Sequence, residues 1–209
     1  MAKRSPSEAR RERPGSPRAR LFLALEPAED DRAALARWRD DAVAGRDDLR
    51  PVPAESLHLT LVFLGYRPEE EIPRIAEVAF EALGDARATT LQPRALKPIP
   101  PRSPRLFALD LADPGGAAAA LQGAAAAALE RERFHTREKR AWWPHVTLAR
   151  VKRGARARPL AAEPPAAPLR VTAVTLYRSL LSPRGASYSP EARHVLPWTG
   201  HRRPVSVRN

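Results

Sequence analysis

Two tetrads in this chain have the make-up of an acid–base site: His58-Leu59-Thr60-Leu61 and His145-Val146-Thr147-Leu148. Each is a His-x-Thr-x unit inside an apolar run that reads as a β-strand. Successive side chains of a strand point to opposite faces, so a His and a Thr two residues apart lie side by side. Two such strands laid together present two imidazoles and two hydroxyls to one pocket. That set suits attack on a phosphodiester. One histidine acts as general base toward the nucleophile, the other as general acid toward the leaving alkoxide, and the hydroxyls hold the phosphate. Imidazole serves both roles near neutrality because its unperturbed pKa is about 6.5. One ring must be neutral and the other protonated, so a bell-shaped pH–rate profile is expected. The Thr hydroxyls can donate to phosphoryl oxygens as charge builds in the transition state. The residues alone leave open which histidine is the acid.

A metal site is the competing use of two histidines. Zinc would want a third ligand, there is no cysteine, no HExxH occurs, and neither tetrad has a carboxylate nearby on its His face. No metal or cofactor is expected. Four further residues are candidates for the substrate cleft. Arg150 lies three past Thr147; strict alternation would turn it toward the apolar face, so the strand must end or bulge there for it to reach a phosphate. Trp143 could stack a base, although core or rim packing suits it and Trp142 better. Tyr188 and Arg105 complete the set. His135, His194 and His201 have no partner motif and read as solvated or structural.

The elements that must position these residues follow from periodicity. Leu21–Leu25 is a short apolar run that reads as a buried strand. A helix follows Pro27, with Glu29, Asp30 and Asp31 near its positive end, Leu35, Trp38 and Ala42 inward, and Gly45 as its stop. Leu57–Leu64 is the clearest strand: Leu57, Leu59, Leu61 and Phe63 should face a core and His58, Thr60 and Val62 a cleft, with Gly65 ending it. A helix over about 69–83 buries Ile72, Ile75, Ala76, Ala79 and Leu83, with Pro73 early enough to be tolerated. Strands near 91–97 and 105–111 flank a Pro-rich turn. The Ala-rich stretch 116–133 reads as a helix with Leu121, Ala125, Ala128 and Leu129 as its packed stripe. A basic loop, 135–140, leads into the second tetrad, 152–168 reads as loop, and final strands span 169–177 and about 187–198. The order β-α-β-α-β-β-α-β-β-β has a rough internal echo, a helix before each His-x-Thr strand, and fits an α+β domain of two lobes with the cleft between them.

The chain has 209 residues, 36 Lys/Arg and 24 Asp/Glu, a net charge of +12. Residues 1–20 hold seven Lys/Arg and two acids, and residues 201–209 three Arg and no acid, which leaves +4 on the body. We expect a disordered basic N-terminal tail (1–20), a single bilobal domain (21–200) and a basic C-terminal tail (201–209). Basic tails attract polyanions, RNA foremost, though Arg/Ala/Pro richness is also a compositional habit. Without cysteine there are no disulfides or thiolate nucleophiles. No apolar run approaches a membrane span and the N-terminus has no secretory segment. A cytoplasmic monomer is the expectation.

These motifs resemble the two-histidine phosphoesterases, and among them the bacterial and archaeal RNA 2′,3′-cyclic phosphodiesterases first described as 2′-5′ RNA ligases. The resemblance runs over about 21–198. It rests on the segments Arg20–Leu25, Leu57–Gly65, Pro104–Ala108, Pro144–Arg150 and Leu176–Tyr188 in that order. It implies a fold of two antiparallel sheets flanked by outer helices. It also implies metal-free hydrolysis of a 2′,3′-cyclic phosphate at an RNA 3′ end to a 2′-phosphomonoester, with His58 as proton donor, His145 as proton acceptor, and Thr60 and Thr147 on the non-bridging oxygens. The rivals are 2′-5′ ligation or 2′-5′ oligonucleotide hydrolysis on the same fold, and a non-catalytic RNA-binding module.

Overall fold

In the computed structural model, residues 16–182 and 185–198 are described; the expected tails fall largely outside them. The elements run β1 (Arg18–Pro27), α1 (Glu29–Ala42), β2 (Leu49–Pro51), β3 (Leu59–Pro68), α2 (Ile72–Glu81), β4 (Thr89–Ile99), β5 (Leu106–Ala112), α3 (Ala117–Arg131), β6 (His145–Val151), β7 (Leu169–Ser182) and β8 (Gly185–Val195). This is the expected order with one addition, β2, whose three residues are too few to show a period. β1 begins at Arg18, so Arg18, Ala19 and Arg20 of the expected tail are strand.

All strand pairs are antiparallel. The order is β2-β6-β5-β4-β7-β1-β3, with β8 on β7. Each half of this path holds one His-x-Thr segment. The halves meet in β4, which pairs with β7 through Thr89–Leu91 and with β5 through Gln92–Ile99. The two expected sheets are therefore continuous through one shared strand.

Period-2 alternation builds the core. In β1, Leu21, Leu23 and Leu25 are fully buried in the main cluster, while Phe22 and Ala24 pack with Tyr177 in a separate small one. All three helices cover the main cluster. The expected stripe of α3 (Leu121, Ala125, Ala128, Leu129) is buried, as are Ile72, Ile75, Ala76, Ala79 and Leu83 in and after α2. Each fully buried Leu or Ile contributes about 1.5–3 kcal/mol. On α1 the inner face is Leu35, Ala36 and Arg39. Trp38 is half-buried instead, its indole N–H donating to the Glu163 carbonyl at 3.0 Å. The Arg39 guanidinium is satisfied by Asp40 and the Val52 carbonyl, which lets an arginine sit inside.

Alternation fails in β3, and the failure matters. Against β1, β3 carries an extra residue at Leu61 (Leu23 pairs Val62, Ala24 pairs Thr60) and another at Leu64 (Leu21 pairs Gly65, Phe22 pairs Phe63). Each extra residue flips the faces beyond it. Phe63, expected in the core, is 40% exposed, and Val62, expected in the cleft, is 2% exposed. Gly65, expected to end the strand, takes a left-handed φ of 70° beside the second bulge, and pairing continues to Pro68.

Candidate active site

His58 stands one residue before β3 and His145 opens β6. Each ring is held in the same way. Nδ1 of His58 donates to the Ser56 carbonyl at 2.8 Å, and Nδ1 of His145 to the Trp143 carbonyl at 2.8 Å. A carbonyl only accepts, so Nδ1 carries the proton and Nε2 is the free, basic nitrogen of each neutral ring. Both histidines line one cleft of about 380 Å³, together with Thr60 and Thr147. The Trp142 indole N–H donates to the Thr60 carbonyl at 2.9 Å, tying the approach to the second motif onto the strand of the first.

The neighbouring strands repeat the device. In β5, Ala108 pairs with Thr147 and Asp110 with His145, and β6 has its extra residue at Leu148. In β1, Ala24 pairs with Thr60 and Leu25 with Leu59, so Glu26 comes next, alongside His58. Each half thus has a buried carboxylate beside its histidine and a bulge one past its threonine. The bulge at Leu148 turns Arg150 onto the cleft face, as the bulge at Leu61 turns Phe63; both line the cleft.

Each carboxylate also accepts a hydrogen bond from an aromatic side chain near its histidine. Glu26 accepts from Thr175 Oγ1 at 2.5 Å, Tyr177 Oη at 2.6 Å and Arg193 Nε at 3.1 Å. Tyr177 stacks on Phe22 at 5.3 Å, and Phe22 and Tyr188 flank the His58 ring at 4.9 and 5.2 Å. Asp110 accepts from the Trp143 indole N–H at 2.5 Å and pairs with Lys97 at 2.7 Å; Trp143 stacks on His145 at 4.1 Å, 14° from parallel. Burial pushes both carboxyls up, but their hydrogen bonds and the cations beside them outweigh it and hold both below the ordinary range.

The imidazoles are depressed. Burial pushes His58 down to about 4; the Ser56 carbonyl and Glu26 oppose this, while His145 and Arg150 add repulsion. Burial also lowers His145, against the Trp143 carbonyl and Asp110. Both shifts favour the neutral imidazole. A phosphate anion lying between them favours a cation on either.

Arg150 and Tyr188 line the cleft as expected. Trp143 does not; it backs His145 from behind. Arg105 does not either. Its backbone is occupied between Ile99 and Val151, and its side chain is exposed away from the cleft. Arg20 and Phe22 are additional cleft residues. The Arg20 guanidinium lies 4.4 Å over the Phe63 ring and donates to Ser179 Oγ at 3.0 Å. The alternation Arg20-x-Phe22 across Leu21–Leu25 is the sequence signal for them, and the repeated Ala24-Leu25-Glu26 and Ala108-Leu109-Asp110 is the signal for the two carboxylates. Among the described residues, no three His, Cys, Asp or Glu side chains gather as metal ligands, and no helix is long and apolar enough to cross a membrane.

A sequence model of the 2′-5′ RNA ligase superfamily matches residues 26–182. The chain belongs to that superfamily. An RNA 2′,3′-cyclic phosphodiesterase of Methanothermobacter thermautotrophicus is 30% identical over 180 residues, 82% of this chain and 96% of that protein. Another, of Thermus thermophilus, is 50% identical over 54 residues, 26% of this chain and 27% of that protein. Among solved structures, TT0787 of Thermus thermophilus superposes with a TM-score of 0.75 at 29% identity, over 87% of this chain and 100% of that one. Apo E. coli LigT superposes at 0.70 and 26%, over 88% of this chain and 100% of that one. The fold is the α+β two-histidine phosphoesterase fold, and the protein is an enzyme of the phosphodiesterase class.

Proposed function

We propose that this enzyme opens 2′,3′-cyclic phosphates at RNA 3′ ends to 2′-phosphomonoesters. The observation that supports it best is the mirrored pair of imidazoles, each anchored through Nδ1 on one cleft with two Thr hydroxyls and the cationic Arg20 and Arg150. The relatives named RNA 2′,3′-cyclic phosphodiesterase support the same substrate class. In this reaction water attacks phosphorus and gives a proton to His145 Nε2. The P–O3′ bond breaks, and His58 Nε2–H protonates the departing 3′ oxygen. Thr60, Thr147 and Arg150 stabilise the charge on the non-bridging oxygens. No residue of the scheme calls for a metal. The rival 2′-5′ ligation is related chemistry, with a 5′-hydroxyl in place of water.

One observation favours exchanged roles. Asp110 supports a cation on His145, whereas on His58 the support of Glu26 is countered by repulsion from His145 and Arg150. The test uses a cyclic nucleotide whose 3′ bridging oxygen is sulfur, a leaving group that needs no proton. If His58 is the acid, His58→Ala is rescued on that substrate and His145→Ala is not; exchanged roles give the reverse.

The primary experiment incubates the protein, with EDTA present, with a nucleoside 2′,3′-cyclic phosphate and with RNA bearing that end. The expected product is the 2′-phosphate, made by wild type and not by His58→Ala or His145→Ala. No product from wild type on either substrate overturns the proposal.

A further inference from the structure

Phe63 belongs to two cavities at once. On one side it lines the catalytic cleft, and on the other a second cavity of about 320 Å³, walled by Arg67, Arg133, Phe134 and His135. His135 and Glu138 are shared in turn with a third cavity, of about 420 Å³, between α3 and the segment that leads to Trp142. The three adjoin in turn, meeting at Phe63 and then at His135 and Glu138, and together they line up as a groove past the C-terminal end of α3. At Gly185, by contrast, the chain packs so closely on the Arg50 guanidinium that an added Cβ would lie 3.0 Å from it.

The α3 terminus carries a second, independent peculiarity. Arg133 is the only non-glycine among the described residues with positive φ, at 62°. The amides of Phe134 and His135 both donate to the Leu129 carbonyl, at 2.8 and 3.2 Å, a helix-ending turn in which glycine is the usual occupant. An L side chain is strained there. Such strain marks positions where the side chain has work to do. The Arg133 side chain is exposed, and among the described residues no hydrogen bond or ion pair engages its guanidinium. Arg67, on the same cavity, is spent on Glu71 at 2.6 Å and on the face of Phe134 at 5.4 Å.

We infer that this groove binds the nucleotides upstream of the reacting 3′ end, as single-stranded RNA, with Phe63 as a stacking platform and Arg133 on a backbone phosphate. The inference rests on the function proposed above: if the reacting group is the end of a polymer, the rest of the polymer must leave the cleft, and the Phe63 side is where a second cavity adjoins it. Flat aromatic rings interleaved with cations are the usual means of holding single strands without reading sequence.

The test compares kcat/KM for a five-nucleotide RNA ending in a 2′,3′-cyclic phosphate with that for a nucleoside 2′,3′-cyclic phosphate. Wild type is expected to prefer the oligonucleotide by at least about tenfold. Arg133→Gly keeps the backbone conformation, since glycine suits positive φ, and unchanged melting verifies that it folds. In that variant the oligonucleotide-to-mononucleotide ratio is expected to fall about tenfold. Its log KM against log salt should lose about 0.7 in slope, the amount for one phosphate contact on a single strand. Arg133→Lys should retain most of the preference. Equal kcat/KM for the two substrates in wild type, or a ratio unmoved by Arg133→Gly, overturns the inference while leaving the reaction intact. A wild type inactive on both substrates overturns the reaction and the inference together.

Discussion

The two halves of this enzyme use one device with different surroundings. In each, a strand carries Ala-Leu-acid, the acid stands beside a histidine, the alanine beside a threonine, and a bulge follows that threonine. The half around His58 is closed: Glu26 is taken up by Thr175 and Tyr177, Phe22 and Tyr188 flank the ring, and the residue turned out by the bulge is Phe63. The half around His145 pairs its acid with a cation as the other half does, Asp110 with Lys97 and Glu26 with Arg193, but a single indole, Trp143, stacks on its ring and the bulge turns out a cation, Arg150. Asymmetry laid on a repeated scaffold is what an acid–base pair needs, because two identical sites would give two identical imidazoles. The difference resides in neighbours rather than in the motifs.

The largest effect that bears on this comparison is loss of either imidazole. His58→Ala and His145→Ala are each expected to lower kcat about 10²–10⁴-fold. The double variant should fall little further than the worse single one, since the pair acts as a unit; losses that simply multiply in steady-state kinetics would break the pairing. Next come the residues three past each threonine. Arg150→Ala removes a cation from the phosphate and should cost about 10–100-fold in kcat/KM, much of it in kcat, comparable to losing one transition-state donor. Phe63→Ala should raise KM severalfold and leave kcat nearly intact. Equal effects of the two on kcat would deny the asymmetry.

The carboxylates sharpen it further. Asp110→Asn removes a charge that favours the His145 cation, so the pH–rate limb belonging to His145 should move to lower pH. Glu26→Gln should move the His58 limb the same way. Each should also destabilise by about 1–3 kcal/mol, because a buried hydrogen-bond network loses its acceptor charge. The informative result is which limb moves in which variant.

Stability against pH follows from the same rings. The pKa of His58 in the fold, about 4, lies below its ordinary value, so the unfolded chain binds the proton more readily. Its neutral form is accommodated fully above about pH 6.5, and stability is lost as pH falls from about 6.5 toward 4, by about 3 kcal/mol at the most. His145 adds in the same direction. Glu26 and Asp110 are depressed too, and their contribution is lost only lower, as pH falls below the ordinary carboxylate range. Denaturant melts of wild type and His58→Gln between pH 7 and 4 check this, the variant showing the flatter curve. The smallest effect is expected from the basic N-terminus: removing residues 1–15 should weaken affinity for long RNA at low salt more than at high salt, and leave turnover of a cyclic mononucleotide unchanged.

Much of the site was legible in the chain because the chemistry needs particular side chains at a spacing of two, and a strand fulfils that spacing locally. His58, Thr60, His145 and Thr147 follow from that alone, and so do the packed faces of α2 and α3, whose periods are local as well. Arg150 could be placed only conditionally, since its reach depends on a bulge at Leu148, and a bulge is a property of two strands in register rather than of one sequence. Phe63 was turned the wrong way for the same reason, by the extra residue at Leu61. Arg105 lies on the segment that fits the family yet points away from the cleft, because it enters β5 beside Val151, away from the paired His145–Asp110 end of the strand.

By itself the sequence determined the reactive groups, the order of the elements and the apolar faces that drive their burial, because composition and periodicity act over a few residues. The tertiary structure decided which rings back the two histidines, which carboxylate tunes which imidazole, and which cavity adjoins the cleft at Phe63. Those depend on strand register and on partners far apart in the chain, such as Glu26 with Tyr177 and Asp110 with Trp143, and no local pattern encodes a pairing whose two members lie in different elements.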